Sequence, residues 1–363
     1  MSLFTGRYPD PLKASAHILM QAALETAKEG LLVTGTPNVD RLALMVVAMT
    51  GFESSDDHPW AGIRVEEEHY SASLLKLAAL YAAFDLRSSA DQLAADNGLT
   101  TFTQVEAALK STFDQEIAAH TPSLISSSPL LRPQDKTRKP DYKKVLQLAT
   151  APDFVVDFTQ AQLNAFEDMI VQQHNPGATA TIHGLGYPYL NGKIADDGFF
   201  EGTSGVWLAG DYAGGQQWPA ARINSVNDGP SAQATTAVHL ARMLTLVFDN
   251  RLVGPISSAA MQEMMGRAGA WFHHGGIIPP TLIWPRDGRF RVTHSKVGLG
   301  PLNNGKSAFS EGLVVRDTLR DLDFVVVWQN VQDTLGPGGA PFRRTFEPLA
   351  TLIEETISAF VPS

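Results

Sequence analysis

A serine and a lysine three residues apart are the pair in this sequence with the clearest capacity for chemistry. Ser73 and Lys76 stand in the stretch His-Tyr-Ser-Ala-Ser-Leu-Leu-Lys, which is followed by the apolar run 77–83. One helical turn brings both side chains onto the same face, and the surrounding Ala, Leu and Tyr residues predict a helix that is buried on most sides. Burial lowers the pKa of a lysine, and a deprotonated lysine takes a proton from a neighbouring hydroxyl. The pair therefore predicts a nucleophilic serine activated by a lysine. The alternative is an ordinary serine beside a lysine whose ammonium group reaches solvent.

The composition excludes several classes of function. The chain has 363 residues, of which 44% are hydrophobic and 18% charged, and these are the proportions of a globular domain with a full core. A net charge of −10 without a basic cluster argues against nucleic-acid binding. The absence of cysteine excludes thiol catalysis, cysteine-ligated zinc and disulfides. Adjacent histidines rarely ligate one ion together, so His273 and His274 are not expected to form a metal site, and we expect no cofactor.

Periodicity predicts the elements that would position the pair. Several helices are expected in the first three quarters of the chain, and the period changes to that of strands near residue 290. The predicted helices are 12–31, 88–119, 159–173, 178–183, 232–247, 257–266 and 346–360. The predicted strands are 31–34, 290–297, 310–316 and 322–328, with 40–49 as a strand or a helix. Residues 122–142 and 198–229 are expected to be long loops, and 184–192 to be the irregular end of a helix.

A second lysine, Lys296, begins the sequence Lys-Val-Gly within the strand near residue 290. A cation on a strand edge could face the nucleophile, and Gly298 would allow a close approach of substrate backbone. The order of these elements resembles that of the serine β-lactamases and penicillin-binding proteins. The order is a Ser-x-x-Lys helix, a helical middle, a Lys-x-Gly strand, a meander and a terminal helix. The resemblance covers the chain from about Gly30 onward. Val297 departs from the family, which has a hydroxyl residue there.

The resemblance implies a fold. It is an α/β (α+β) sandwich of the β-lactamase/transpeptidase type, in which an antiparallel sheet is flanked by helices and joined to an all-helical lobe. The whole chain, 1–363, would be a single domain with two lobes. The α/β lobe would contain 12–65 and 285–363, and the helical lobe 66–284, with an insertion around 100–150.

The resemblance also implies roles for site residues. The main-chain N–H groups of Ser73 and Leu299 would form an oxyanion hole. Lys296 would supply positive potential for a substrate carboxylate. A second motif, Ser-x-Asn or Tyr-x-Asn in the family, would provide a proton-relaying hydroxyl and an Asn that contacts the substrate amide.

Three segments are candidates for this second motif. Gln173 and Asn175 lie between two predicted helices, which is the family's context, although glutamine would replace the relaying hydroxyl. Ser225 with Asn227, and Tyr189 with Asn191, match the letters but not the context. Context favours Asn175, because the relay group must reach Ser73. The loop 198–229 would correspond to the Ω-loop, which in class A β-lactamases carries a deacylating Glu; here Asp211 is the nearby carboxylate, expected as a turn or cap residue, with a general base as the alternative.

The leading functional hypothesis is a serine acyl hydrolase that acts through an acyl-enzyme on β-lactam, D-alanyl peptide, ester or amide substrates. The alternative is a penicillin-binding or catalytically weak module that keeps the fold. The expected partner is a small molecule or a peptide, and no run of about eighteen apolar residues predicts a membrane span. The family would imply a periplasmic or secreted protein whose signal is absent from this sequence, and otherwise the protein would be cytoplasmic.

Overall fold

A computed structural model describes residues 2–49, 57–150, 154–212, 220–269, 289–334 and 346–361. His273 and His274, which the sequence analysis excluded as a metal pair, lie outside the described residues, as does the lobe boundary expected near residue 284. The helices are, in chain order, α1 (Ile18–Val33), α2 (Lys76–Asp96), α3 (Phe102–His120), α4 (Ser123–Ser126), α5 (Pro133–Thr137), α6 (Tyr142–Val145), α7 (Gln160–Phe166), α8 (Asn175–Leu185), α9 (Tyr187–Asp196), α10 (Ala237–Phe248), α11 (Pro255–Arg267) and α12 (Glu347–Ser358).

The strands form one large antiparallel sheet and several small ones. In chain order they are β1 (Ala43–Ala48), β2 (Trp60–Ile63), β3 (His69–Tyr70), β4 (Leu146–Leu148), β5 (Val156–Phe158), β6 (Phe200–Glu201), β7 (Ser204–Gly205), β8 (Trp207–Leu208), β9 (Ile223–Ser225), β10 (Gly229–Ser231), β11 (Gln233–Thr235), β12 (Phe290–Pro301), β13 (Ser307–Asp317) and β14 (Leu322–Asp333). The large sheet has the order β12-β13-β14-β1-β2, so the chain's first strands pair with its last. This order leaves β12 at an edge of the described sheet.

Both faces of the large sheet are buried. Runs of valine in β1 and β14 produce almost continuously buried strands, as expected for strands covered on both sides. The helices α1 and α12 cover one face, where Met20 and Leu352 join a cluster with Trp328. On the other face α10 packs with Leu240 and Leu244 in the cluster that continues into the helical part.

Helix α2 is the centre of the helical part. Its buried residues extend over most of its circumference, from Lys76 to Ala94, because α3, α8, α9 and α11 all pack against it. Ala and Leu predominate along it, so the neighbouring helices approach closely and side-chain entropy loss is small. The predicted burial of this helix is therefore observed. Its first residue is Lys76.

Several element predictions were wrong in detail. The predicted helix 88–119 is the end of α2 and most of α3, and the predicted loop 198–229 contains the short strands β6 to β9. The expected strand 31–34 is the last turn of α1, where helix propagation outweighs the local β-branched signal. Residues 187–196 form α9 because Pro188 occupies its first turn, where proline initiates rather than breaks a helix. The segment 122–142 contains the short helices α4 and α5, and 232–236 forms β11 before α10 begins at Ala237.

Candidate active site

Ser73 lies in a single 3-10 turn, Ala72–Leu75, that connects β3 to α2. Ala72 adopts a φ of 49°, a left-handed conformation that costs a non-glycine residue of order 1 kcal/mol. The hydroxyl of Tyr212 donates a hydrogen bond of 2.9 Å to the Ala72 carbonyl and so holds this turn. The Ser73 side chain is half-buried and lines a cavity. The turn thus presents the serine at the start of the buried helix.

Lys76 lies one turn further on, and its ammonium group is fully enclosed. Nζ donates to the main-chain carbonyls of Gln173 (3.1 Å) and His174 (2.9 Å). It also donates to Oδ1 of Asn175 at 3.0 Å, and it lies 5.1 Å from the centroid of the Tyr212 ring. Burial lowers the pKa of Lys76 to about 8, although the charge of Asp168 opposes this shift. A measurable fraction of Lys76, about one tenth, is therefore neutral at pH 7.

The loop that accepts these hydrogen bonds is fixed by Asp168, in the π-helical turn Glu167–Val171 that follows α7. One Asp168 oxygen is 2.7 Å from Nδ1 of His174, and the other accepts from the Gly177 N–H at 2.7 Å. Gly177 has no room for a Cβ, which would lie 2.4 Å from the Ala165 carbonyl. The φ of Gln173 is 62°, so the chain reverses sharply before α8 begins. Asp168 therefore acts on the site through the loop that surrounds Lys76.

The cavity beside Ser73 has a volume of about 450 Å³. Its lining comes from the 3-10 turn, the start of α8, the segment after β8, the β9–β10 hairpin and the end of β12. The lining residues are Tyr70, Ala72, Ser73, Asn175, Gly210, Asp211, Tyr212, Ala220, Arg222, Asp228, Pro230, Ser231, Ala232, Gln233, Leu299, Gly300 and Pro301. Three residues expected in the site from the sequence, Ser73, Asn175 and Leu299, thus share one cavity.

Strand β12 crosses directly over the 3-10 turn, and its glycines make this crossing possible. A Cβ on Gly298 would lie 2.3 Å from the Ser71 carbonyl and 3.0 Å from the Leu74 nitrogen. A Cβ on Gly300 would lie 2.1 Å from the hydroxyl of Tyr70. Gly298 was expected to admit substrate backbone, but it instead admits the backbone of the protein's own nucleophile turn. That close approach brings the neighbouring Leu299 to the cavity.

Lys296 is placed differently from the expectation. Its side chain is fully buried, does not line the described cavity, and donates from Nζ to the Val297 carbonyl at 2.8 Å. Burial and the nearby Lys76 hold the pKa of Lys296 well below its ordinary value, with Glu311 acting in the opposite direction. Val297 packs in the cluster on the α1–α12 face of the sheet. Neither residue is positioned to bind a substrate carboxylate in this cavity, because Lys296 is enclosed and Val297 lies in the core.

The candidates for the second motif lie in three different environments. Gln173 and Asn175 adjoin Lys76, but the Gln173 amide donates to the Gly269 carbonyl at 2.8 Å and so turns toward the end of α11. Asn227 bonds both main-chain groups of Tyr70, at 2.8 and 3.2 Å, and thereby holds the strand before the nucleophile turn. Ser225 donates to the Gly229 carbonyl within the β9–β10 hairpin.

Tyr189 and Asn191, the remaining candidates, are buried within α9. The Tyr189 hydroxyl bonds Asp85 and the Ala82 carbonyl, and Asn191 bonds both main-chain groups of Leu208. These contacts join helices and β8 in the core. Among the three candidates, Asn175 is the one whose side chain accepts a hydrogen bond from Lys76.

Asp211 was expected as a turn or cap residue, and the structure gives it a different environment. Its carboxylate lines the cavity, is 8% exposed, and lies 3.1 Å from Nε2 of His183 on α8. No local sequence pattern predicted this pair, because its members are far apart in the chain and belong to different elements. The one available signal was the position of Asp211 in a long loop rich in glycine and aromatic residues.

The described residues contain no group of three or more His, Asp or Glu side chains arranged to hold a metal ion. Among the described helices, none combines the length and apolar character that a membrane span requires.

No family model matches the sequence, and no curated protein is significantly similar to it. Solved structures do resemble it. A β-lactamase from Burkholderia phymatum aligns with 14% identity over 94% of this chain and 98% of that chain, with a TM-score of 0.51. A β-lactamase from Chitinophaga pinensis DSM 2588 aligns with 10% identity over 94% and 97% of the two chains, with a TM-score of 0.49. The protein PBP-A aligns with 14% identity over 96% and 100%, with a TM-score of 0.48. The first similarity, which extends over nearly both chains, shows a common fold.

Proposed function

We propose that this chain, which has the fold of the serine β-lactamase and penicillin-binding protein superfamily, is a serine acyl hydrolase that works through an acyl-enzyme. One observation carries the proposal. A fully buried lysine with a pKa of about 8 lies one helical turn from a serine that opens into a cavity of about 450 Å³. Burying the ammonium group of a lysine costs free energy of desolvation. A buried lysine with a lowered pKa beside a cavity is therefore a candidate for a catalytic base.

In the first step, neutral Lys76 accepts the proton of the Ser73 hydroxyl while Oγ forms a bond to the substrate carbonyl carbon. The developing oxyanion is stabilised by the main-chain N–H groups of Ser73 and Leu299. The bond to the leaving group then breaks, and the leaving group takes the proton from Lys76. Asn175, which already accepts from Lys76, also offers its amide N–H₂ to the substrate.

In the second step, Asp211 accepts a proton from water as the water oxygen attacks the acyl carbon. The ester bond to Ser73 breaks, the Ser73 oxygen takes up the proton that Asp211 accepted, and the acid product leaves. Burial in the cavity wall and the 3.1 Å contact with Nε2 of His183 support this role, because both hold the carboxylate in one orientation.

Steady-state hydrolysis of nitrocefin, benzylpenicillin, a D-alanyl-D-alanine peptide and p-nitrophenyl acetate tests the proposal. Ser73→Ala should lower kcat/KM on any accepted substrate by at least about 100-fold, since the nucleophile is lost. Ser231→Ala, which removes another hydroxyl from the same cavity, is the matched control and should retain most activity. Asp211→Asn should give a burst of one product equivalent followed by slow turnover. Equal rates in the wild type and Ser73→Ala would end the proposal.

A further inference from the structure

The charges around the cavity favour a substrate of one sign. The two lysines nearest the nucleophile, Lys76 and Lys296, are enclosed and both have lowered pKa values. Among the described lining residues, the ionisable ones apart from tyrosine are Asp211, Asp228 and Arg222. These described residues thus present two carboxylates and one guanidinium. Arg222 donates to the Pro230 carbonyl at 3.3 Å, and its charge acts on Asp228.

The two tyrosines that line the cavity, Tyr70 and Tyr212, stay neutral. Burial raises the pKa of Tyr70 to about 12, with the charge of Asp228 adding to the effect. Burial holds the pKa of Tyr212 well above its ordinary value, with Tyr70 contributing. A substrate carboxylate in this cavity would lie near Asp211 and Asp228, and it would lack the lysine partner that the Lys-x-Gly sequence predicted, because Lys296 does not line the cavity.

Asp228 is the lining carboxylate whose charge acts on Tyr70. Its Oδ1 accepts from the Asn303 N–H at 2.6 Å, and its carbonyl accepts from the Asn303 side chain at 2.9 Å. These bonds attach the β9–β10 hairpin to the turn between β12 and β13, and they fix the carboxylate. Burial raises the pKa of Asp228, whereas the Asn303 N–H and Arg222 favour its ionised form. Asp211, in contrast, is paired with His183.

We infer that the substrate carries a cationic group, of the alkylammonium class, that binds Asp228, and that carboxylate-bearing substrates are disfavoured. The inference rests on the proposed function, because it identifies the substrate class of the same site. It selects cationic esters or amides from the substrates open to a serine acyl hydrolase. A substrate cation beside Asp228 offsets the free-energy cost of desolvating that carboxylate, whereas a substrate anion adds to this cost.

Three p-nitrophenyl esters with equal acyl chains test the inference. The chains end in trimethylammonium, in its neutral isostere tert-butyl, or in carboxylate, and each rate is divided by that of spontaneous hydrolysis. In the wild type, kcat/KM should be about 10-fold higher for the cationic than for the tert-butyl ester, as a charge pair in a partly screened site provides. The carboxylate ester should be slowest. Equal rates, or a preference for the carboxylate, would overturn the inference.

Variants assign the preference to one residue. Asp228→Asn keeps an acceptor for the Asn303 N–H, removes the charge, and should reduce the ratio of cationic to tert-butyl rates to about one. Asp40→Asn removes the same charge from an exposed position outside the cavity and should leave the ratio unchanged. A ratio that persists in Asp228→Asn would contradict the assignment.

A binding measurement separates this inference from the proposed function. Calorimetry measures the affinity of Ser73→Ala for the three corresponding methylamides, with no turnover required. Tighter binding of the cationic amide supports the inference even if the wild type hydrolyses no ester, a result that would overturn the acyl-hydrolase proposal alone. Tighter binding of the carboxylate amide would overturn the inference whatever the turnover.

Discussion

At the scale of the residue, the account depends on Lys76. Its three hydrogen-bond acceptors are two main-chain carbonyls and one amide oxygen, so these three contacts are all with uncharged groups. The ammonium form donates to all three oxygens, and the neutral amine donates to two of them, whereas a carboxylate in contact would fix the charged form. Burial is therefore the main influence on the pKa of Lys76 and lowers it, whereas the charge of Asp168 raises it.

This arrangement predicts a pH profile for kcat/KM. The base must be deprotonated, so the rate should rise about tenfold per pH unit at low pH and level off above about 8. Asp168→Asn removes a charge that raises the pKa of Lys76, so the ascending limb should move to lower pH. Glu167→Gln removes a charge from the neighbouring residue, which pairs with Arg267 at the surface, and should leave the limb in place. A limb that does not move in Asp168→Asn would contradict this role.

The site could be predicted from the sequence only where its residues are close together in the chain or where the order of helices and strands places them. The spacing of Ser73 and Lys76 requires only a helical turn, and the position of Asn175 required only a break between helices. The pair of Asp211 and His183 depends on how α8 packs against the loop after β8, which no local pattern encodes. The enclosure of Lys296 likewise depends on the approach of β12 to the nucleophile turn.

At the scale of the element, the crossing of β12 over the 3-10 turn is the contact that assembles the cavity. Gly298 and Gly300 permit it, and Ser310 on β13 donates to the Ser71 carbonyl at 2.9 Å beneath it. The strand consequently brings Leu299 to the nucleophile. The strand and a close approach at Gly298 were predicted from the sequence. The approach was assigned to substrate backbone, however, and not to the backbone of the nucleophile turn.

Gly298→Ala should therefore disrupt the protein's own packing. The added methyl group meets the Ser71 carbonyl at 2.3 Å, and we expect a loss of about 3 kcal/mol in the free energy of unfolding together with loss of activity. Urea unfolding measures the first effect. Gly30→Ala in α1 is the control, because its Cβ would meet nothing within 4 Å and alanine favours a helix. Equal stabilities of wild type and Gly298→Ala would refute this account of the crossing.

At the scale of the whole molecule, the fold predicted from the resemblance, an antiparallel sheet flanked by helices with a helical part beside it, is confirmed. The alternation and the valine-rich runs of β12 to β14 made the sheet predictable. The pairing of β1 with β14 was not predictable, since it joins residues far apart in sequence. The division into lobes at residues 66 and 284 stays a prediction.

A buried carboxylate outside the cavity makes the stability of the molecule depend on pH. Burial raises the pKa of Glu68 to about 7, although Gly205 and Ser204 donate to it. The native state must hold this charge above pH 7, whereas the unfolded chain ionises near its ordinary value of 4.5. The contribution of Glu68 is therefore favourable at low pH and is lost as pH rises through 7, by up to about 3 kcal/mol.

Urea unfolding at pH 4.5 and pH 8 tests this dependence. Glu68→Gln should be more stable than the wild type at pH 8 and close to it at pH 4.5, because glutamine carries no charge to bury. Glu66→Gln changes an exposed residue of the same segment and should follow the wild type at both values. A Glu68→Gln variant that loses stability at pH 8 would show that the charged form is the favoured one.

The most direct test of the central claim is rapid acid quench followed by intact-protein mass spectrometry and peptide mapping. Asp211→Asn, in which the acyl-enzyme should accumulate, is mixed for seconds with the p-nitrophenyl ester whose acyl chain ends in trimethylammonium. The account predicts one acyl group per chain, on Ser73, that disappears in Ser73→Ala/Asp211→Asn and persists in Ser231→Ala/Asp211→Asn. An adduct at another residue, or product release without any Ser73 adduct, would contradict it.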